Sequence, residues 1–512
     1  MPTINLCDHS ERGDKWLHEN ILTHKQEVIP DNFKLYIEYK NYDVFKTNNA
    51  GESLIALHKT LKEIDFPHFF VKLITTNTDI EKQLDYCTKY FSDEVDNISF
   101  KIEPGQFVKK HVNKDTVCIY PWIHFYINPQ GQIGQCCHFN NSFPIGNIND
   151  EDVNNLHNIK ELRELRKDML KRKQPPGCSI CWEKEDNNIL SPRQIANKNW
   201  SRHKHLINQT QPDGSFNNFK LRYLDVRLSN ACNFMCRMCS GKFSNKIAQE
   251  EKQLYGYTKY LDEYIKNNTA EQLIAHVEKN IYSLERVYFA GGEPLINETH
   301  YKILSLLIDA DKTNIAISYN TNFSLLRFKQ HNVLDYWKNF NNVIIGASID
   351  LIGPAANYVR YGAEYEVLEK NYHLIKNLPN ITFNIASILH SLNTYNLPKL
   401  QKHWIDNIKL SAEHLSFDLV IDPSNMQITV LPSEYKEELT KIWKNHIIYL
   451  KTKNGSEKLV RQWEQAIKFM NSKDDSYLLN DFFRLNNDKD RVRNQQFEDY
   501  FPEFLDLRSY AI

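Results

Sequence analysis

The chain carries no excess charge of either sign. Lys plus Arg number 63, Asp plus Glu number 64, and the net charge is −1. Without a basic bias, affinity for nucleic acid or for an anionic membrane has no electrostatic support. The opening residues, MPTINLCDHSERGDKW, are polar and lack the apolar core and small-residue cleavage site of a secretion signal. No uninterrupted apolar run approaches the ~18 residues of a membrane helix. There are no internal repeats, no low-complexity tract and no glycine-rich phosphate loop. These absences predict a cytoplasmic protein with no nucleic-acid and no membrane partner. In a reducing cytosol, ten cysteines argue for metal or redox chemistry over disulfides.

What is present is concentrated. Eight of the ten cysteines fall between Cys118 and Cys239, with Cys7 and Cys87 outside. The 512 residues are enough for two to four domains. Residues 1–112 alternate strand-like runs (KLYIEYK, FFVKLITT, ISFKIE) with helix-like ones (ESLIALHKTLKEI, IEKQLDYCTKYF), which predicts a small βαβαβ domain of packing or partner-binding role. A cysteine-bearing segment occupies residues 113–200, and NKNWSRHKHLINQTQPDGSFNNFK reads as a polar linker. Over residues 218–425, six strand candidates (YLDVRLS, RVYFAG, NIAISYNTN, NVIIGASID, TFNIASIL, HLSFDLVID) alternate with helical runs. Most are continuous apolar or β-branched runs, as buried parallel strands are. The fold class is therefore α/β, a partial (β/α)6 barrel with helices outside. Residues 426–512 read as a helical carboxy-terminal cap.

The first strand leads directly into LSNACNFMCRMCSG, where Cys232, Cys236 and Cys239 are spaced C-x3-C-x2-C. Three thiolates can fix three irons of a cubane and leave the fourth open, as catalytic metals keep an open position. Parallel barrels gather reactive groups at the carboxyl ends of their strands. At the end of the second strand stands FAGGEPLI. Its adjacent glycines, Gly291 and Gly292, let backbone groups approach a ligand closely, and the Glu293 carboxylate can accept from a ligand ammonium.

With these two motifs one strand apart, and SYNTN and SID at the ends of the third and fourth strands, the chain resembles the radical S-adenosylmethionine (SAM) enzymes over about Leu221 to Pro423. The resemblance implies a [4Fe-4S] cluster held by Cys232, Cys236 and Cys239, with SAM chelating the open iron and Gly291, Gly292 and Glu293 holding its methionine moiety. It implies SAM-pocket roles for Ser318, Asn320, Asn322, Asp350 and Ser387. It also implies cleavage of SAM to methionine and a 5′-deoxyadenosyl radical, with an electron donor such as flavodoxin or ferredoxin as partner. One position departs from the family: the residue before the third cysteine, usually aromatic, is Met238.

The upstream set is Cys118, Cys136, Cys137, Cys178 and Cys181. INPQGQIGQCC reads as a hairpin turning at Pro129–Gly131, and a helix then leads to the Cys178–Cys181 knuckle. This order resembles the twitch module, the shortened SPASM domain of one radical SAM branch. It implies a second, auxiliary [4Fe-4S] cluster on Cys118, Cys136, Cys178 and Cys181, with Cys137 as rival to Cys136. The family places the module after the barrel; here it precedes it. A zinc ribbon would show two C-x2-C pairs, and one is present. His124 and His138 read as hairpin or surface residues. A closed auxiliary cluster suits electron transfer, so the expected activity is a SAM-dependent radical oxidation of a substrate, a peptide or protein by resemblance. A carrier or scaffold would need no SAM pocket, and an epimerase or methylthiolase outcome is separated by product analysis. No residue stands out as a general base.

Overall fold

The computed structural model describes residues 115–139, 145–149, 156–186, 190–258 and 270–511, together with the backbone of four strands nearer the amino terminus. Two compact units divide the chain. One comprises residues 1–117, 170–173 and 183–189, and the other the remainder.

In the first unit, Leu35–Tyr39, Phe69–Leu73 and Ile98–Ile102 pair in parallel in sequence order, the three strands expected from their β-branched and aromatic content. A fourth strand, Gln106–Lys109, adds on antiparallel. It follows Pro104–Gly105, a turn signal that the sequence reading left unused. The two helices expected between the strands, and Cys7 and Cys87, lie outside the described residues.

The second unit is built on a nine-stranded sheet. All six expected strands form and pair in parallel: Tyr223–Arg227, Arg286–Ala290, Ala316–Thr321, Asn342–Ala347, Ile381–Leu389 and Leu415–Leu419. The cysteine hairpin does form, with strands His124–Ile127 and Gln132–Gly134. Gly131 makes its turn at φ +74° and donates to the Asn128 carbonyl at 2.9 Å. The hairpin is not a separate layer, however. His124–Ile127 pairs in parallel with Tyr223–Val226 and extends the sheet beyond its first strand.

Strand alternation gives the sheet two unlike faces. On one face Leu224, Val226, Val287, Phe289, Ile317, Tyr319, Val343 and Ile345 are at most 1% exposed. Helices cover this face: Phe289 meets His300 of helix Glu298–Asp309, and Phe383 meets Trp404 of helix Leu397–Asp406. The other face is polar. Register places Tyr126, Asp225, Tyr288, Ser318, Ile344 and Thr382 side by side across it.

The expected linker is not a plain connection. Just upstream of the quoted stretch, Ser191 caps helix Pro192–Asn199 through a reciprocal capping box with Gln194. A 3-10 segment then runs Ser201–Gln209. Trp200 between them is buried and stacks on Tyr223 at 5.6 Å. Capping and one buried tryptophan thus order a stretch whose average composition is polar. The carboxy-terminal region is helical as expected, with helices Ser433–Lys451, Glu457–Met470 and Leu479–Arg493. No helix among the described residues is long and apolar enough to cross a membrane.

Candidate functional site

The loop carrying Cys232, Cys236 and Cys239 leaves the carboxyl end of strand Tyr223–Arg227 and is closed on itself. The Asn230 side chain donates to the Gly241 carbonyl at 3.1 Å across its mouth, and the Cys232 amide donates to Asn245 Oδ1 at 3.2 Å. Cys239 N donates to Cys236 O at 3.1 Å, which tightens the C-x2-C turn. Met235–Cys236 pairs antiparallel with Arg360–Tyr361. Burial raises all three thiols, Cys239 up to about 12. Neighbouring cysteines push further on Cys232 and Cys239: Cys236 is the second cause for both. Thiols that repel as thiolates are a donor set that iron would stabilise.

Around this loop lies a shell of partners. Arg360 spans from Asp350 Oδ2, at 2.6 Å, to Cys236 Sγ, at 3.7 Å. Arg237, inside the motif, is fully buried and reaches the last long helix. Its Nε donates to Tyr358 O at 2.7 Å, Nη1 to Asn486 Oδ1 at 3.0 Å, and Nη2 to Asp490 and to Gln495 Oε1, the latter at 3.0 Å. Lys489 Nζ donates back to the Arg237 carbonyl at 3.0 Å. The carboxy-terminal region is therefore part of the site rather than a remote cap. These contacts span about 250 positions of sequence, and no local spacing could have pointed to them.

GGEP is hydrogen-bonded to the same loop. Gly291 has φ +114°, Gly292 N donates to Ser229 O at 3.0 Å, and Glu293 N donates to Ala231 O at 2.8 Å. The Glu293 carboxylate is 3% exposed and accepts from Leu295 N at 3.0 Å, Thr321 Oγ1 at 2.7 Å and Asn322 N at 2.7 Å. Asn322 Nδ2 in turn donates to Asn233 Oδ1 of the cysteine loop at 2.8 Å. Gly292, Glu293, Asn322 and, through Arg360, Asp350 thus form one hydrogen-bonded unit with the cysteine loop. Asp350 also accepts from Ile388 N at 2.8 Å. Ser387 falls on the helix-covered face by alternation and donates to Ile349 O at 2.5 Å. Ser318 and Asn320 lie on the polar face, Ser318 accepting from Arg286 Nε at 2.6 Å. Sequence reasoning missed Arg237, Asn233, Thr321 and Arg360. Thr321 lay within SYNTN and Asn233 and Arg237 within the cysteine motif, while Arg360 carried no signal.

Burial raises Glu293 to about 7 against three opposing hydrogen bonds. A carboxyl whose folded pKa lies above its unfolded value stabilises below the unfolded pKa, and this contribution is lost as pH rises through about 7. Glu293→Gln should flatten that dependence. It also turns an amide nitrogen toward a hydrogen-bond donor, which should cost about 1–3 kcal/mol. Denaturant unfolding near pH 5 and near pH 8 measures both effects.

The upstream cysteines converge from three elements: Cys118 before the hairpin, Cys136 after it, and Cys178 with Cys181 at the turn into helix Ser179–Asp186. Burial raises Cys136, followed by Cys137, Cys118 and Cys178; burial also raises Cys178, followed by Cys118 and Cys181. Cys136 is thus within electrostatic reach of Cys118 and Cys178, and Cys178 of Cys118 and Cys181. Cys137 points elsewhere. It is an exposed residue whose thiol is hydrogen-bonded to the Asp225 carboxylate. His124 is hairpin core, 1% exposed, with Nδ1 at 2.8 Å from Gln135 O. Among the described residues no three His, Cys, Asp or Glu side chains close in as a single-ion site requires.

Residues 226–393 match the radical SAM superfamily model, and residues 118–182 match that of an iron-sulfur cluster-binding domain, SPASM. No curated protein matches. A solved structure described as "Native anSMEcpe with bound AdoMet" aligns at 18% identity and TM-score 0.30, over 43% of this chain and 60% of its own. The chain thus spans less than two thirds of that protein. Radical SAM and SPASM domains bind [4Fe-4S] clusters, and in this chain the segment similar to a SPASM domain stands ahead of the one similar to a radical SAM domain.

Proposed function

We propose that the chain is a radical SAM enzyme that oxidises a peptide or protein substrate with the help of an auxiliary [4Fe-4S] cluster. Cys232, Cys236 and Cys239 would hold the SAM-binding cluster, and Cys118, Cys136, Cys178 and Cys181 the auxiliary one. When bound, the first cluster and SAM supply one-electron cleavage to methionine and a 5′-deoxyadenosyl radical, and a closed second cluster supplies electron transfer. Gly291, Gly292 and Glu293 would orient the methionine end of SAM. Asn320, Asn322 and Asp350 remain candidates for its other polar groups. An electron donor such as flavodoxin or ferredoxin would feed the system.

One observation carries this reading. The glycine–glycine–glutamate segment is hydrogen-bonded through its backbone to Ser229 and Ala231, directly before Cys232. A carrier protein has no use for that union. Cys136 is preferred over Cys137 because its neighbours include Cys118 and Cys178, while the Cys137 thiol is bonded to Asp225.

The test separates the two cysteine sets. Cys178→Ala with Cys181→Ala, shown first to be soluble and monodisperse, should still form 5′-deoxyadenosine with a chemical reductant and should yield no oxidised product. Loss of a metal site can unfold a small domain, hence the prior check. Normal substrate turnover by this variant would make the auxiliary site structural and remove the oxidative assignment.

A further inference from the structure

Between the two cysteine sets lies the polar face of the sheet, and the charges around its first two strands do not balance. Two arginines and one aspartate stand on neighbouring strands there. Arg227 is ion-paired with Asp225 and lies over the rings of Tyr126 and Tyr288, at 5.4 and 5.0 Å. Arg286 has no carboxylate of its own. Its Nε donates to the Ser318 hydroxyl, and its guanidinium lies over Tyr223 at 5.4 Å. Its two terminal nitrogens have no protein partner among the described residues.

The titratable rings packed near Arg286 supply no counter-charge. Tyr223 and Tyr288 are kept neutral by burial. His124 is held neutral by burial, down to about 3. The ledger for Asp225, Arg227 and Arg286 is one unit positive in a partly buried setting. A half-buried guanidinium without a counter-ion is costly. Its free edge presents two parallel N–H groups, the geometry that a carboxylate accepts bidentately.

We infer that this face binds the substrate through a carboxylate held by Arg286, with Ser318 and Tyr223 fixing the guanidinium in place. This rests on the proposed function, since it assigns the substrate class of the same site. The carboxylate is not SAM's own. Arg286 begins its strand and Ala290 ends it, so about 13 Å of strand separates Arg286 from the GGEP segment. Ser318, in register with Tyr288, marks a level about half-way along. The anchor therefore sits below the SAM motif on the face that also carries the Asp225–Cys137 contact, next to the auxiliary set. A peptide could supply the carboxylate from an Asp or Glu side chain or from its carboxyl terminus.

Phenylglyoxal labelling of the anaerobically reconstituted holoenzyme with SAM, mapped by mass spectrometry, tests the inference without any turnover. Three probes are added in excess: N-acetylglutamate N′-methylamide for a side-chain carboxylate, N-acetylalanine for a terminal one, and N-acetylglutamine N′-methylamide as the uncharged control. Arg286 should be labelled in the free enzyme. One of the two carboxylates should slow its labelling several-fold, the amide should not, and the exposed Arg202 should be unaffected. Which carboxylate protects identifies the source. Binding of the protecting carboxylate, measured by calorimetry, should be lost in Arg286→Gln with iron content unchanged. Arg286 that resists labelling, or that is labelled equally with and without both carboxylates, would overturn the inference. The same preparation's 5′-deoxyadenosine yield reports separately on the SAM reading.

Discussion

Gly292→Ala should lose both SAM and the cluster beside it. A Cβ at this position would lie 2.1 Å from the Ala231 carbonyl oxygen and 2.8 Å from its carbon. Nothing there can yield cheaply, because the obstacle is backbone. Ser229 and Ala231 already accept hydrogen bonds from Gly292 and Glu293, and Cys232 is the next residue. The glycine pair was expected to admit SAM; the geometry adds that it admits the cysteine loop. Iron should fall from about eight per chain toward about four, the content of one cubane, and SAM retention should fall with it. A variant that kept its full iron and bound SAM normally would show that the close approach of the two loops is not required. Loss of SAM with full iron would restrict the glycine's role to SAM alone.

The fold was legible where local pattern dictates structure. Six apolar or β-branched runs became six parallel strands, and the amphipathic runs after Pro432 became helices, because period-two and period-3.6 burial are written in adjacent residues. The cysteine motifs and GGEP stood out for a related reason: chemically distinctive residues at short spacings, C-x3-C-x2-C, C-x2-C and GGEP, leave a mark in the sequence. What stayed hidden depends on distant pairing. His124–Ile127 joins the edge of the parallel sheet from before it in sequence, and a three-to-four-residue hairpin strand gives no sign of its neighbour. Arg237 looked like an ordinary residue within the motif until Asn486, Asp490 and Gln495 were found around it. Ser387 shows the limit of strand-end reasoning. It lies on the expected strand, but alternation turns it to the helix-covered side, and a polar residue among apolar ones does not declare its face. Cys136 and Cys137, adjacent in sequence, diverge in the bend after strand Gln132–Gly134, one toward the cysteines and one toward Asp225.

The account's central claim is that one chain holds two clusters in separate cysteine sets and that only the set at the end of the first strand cleaves SAM. Cys232→Ala, Cys236→Ala and Cys239→Ala combined remove every thiol of that loop and none of the upstream ones. The decisive measurement is iron and sulfide quantitation of this triple variant and of the unaltered protein after the same anaerobic reconstitution, with 5′-deoxyadenosine formation assayed alongside. The account predicts about eight irons in the unaltered protein, about four in the variant, and no 5′-deoxyadenosine from the variant. About four irons with zinc in the unaltered protein, or SAM cleavage surviving in the variant, would contradict it.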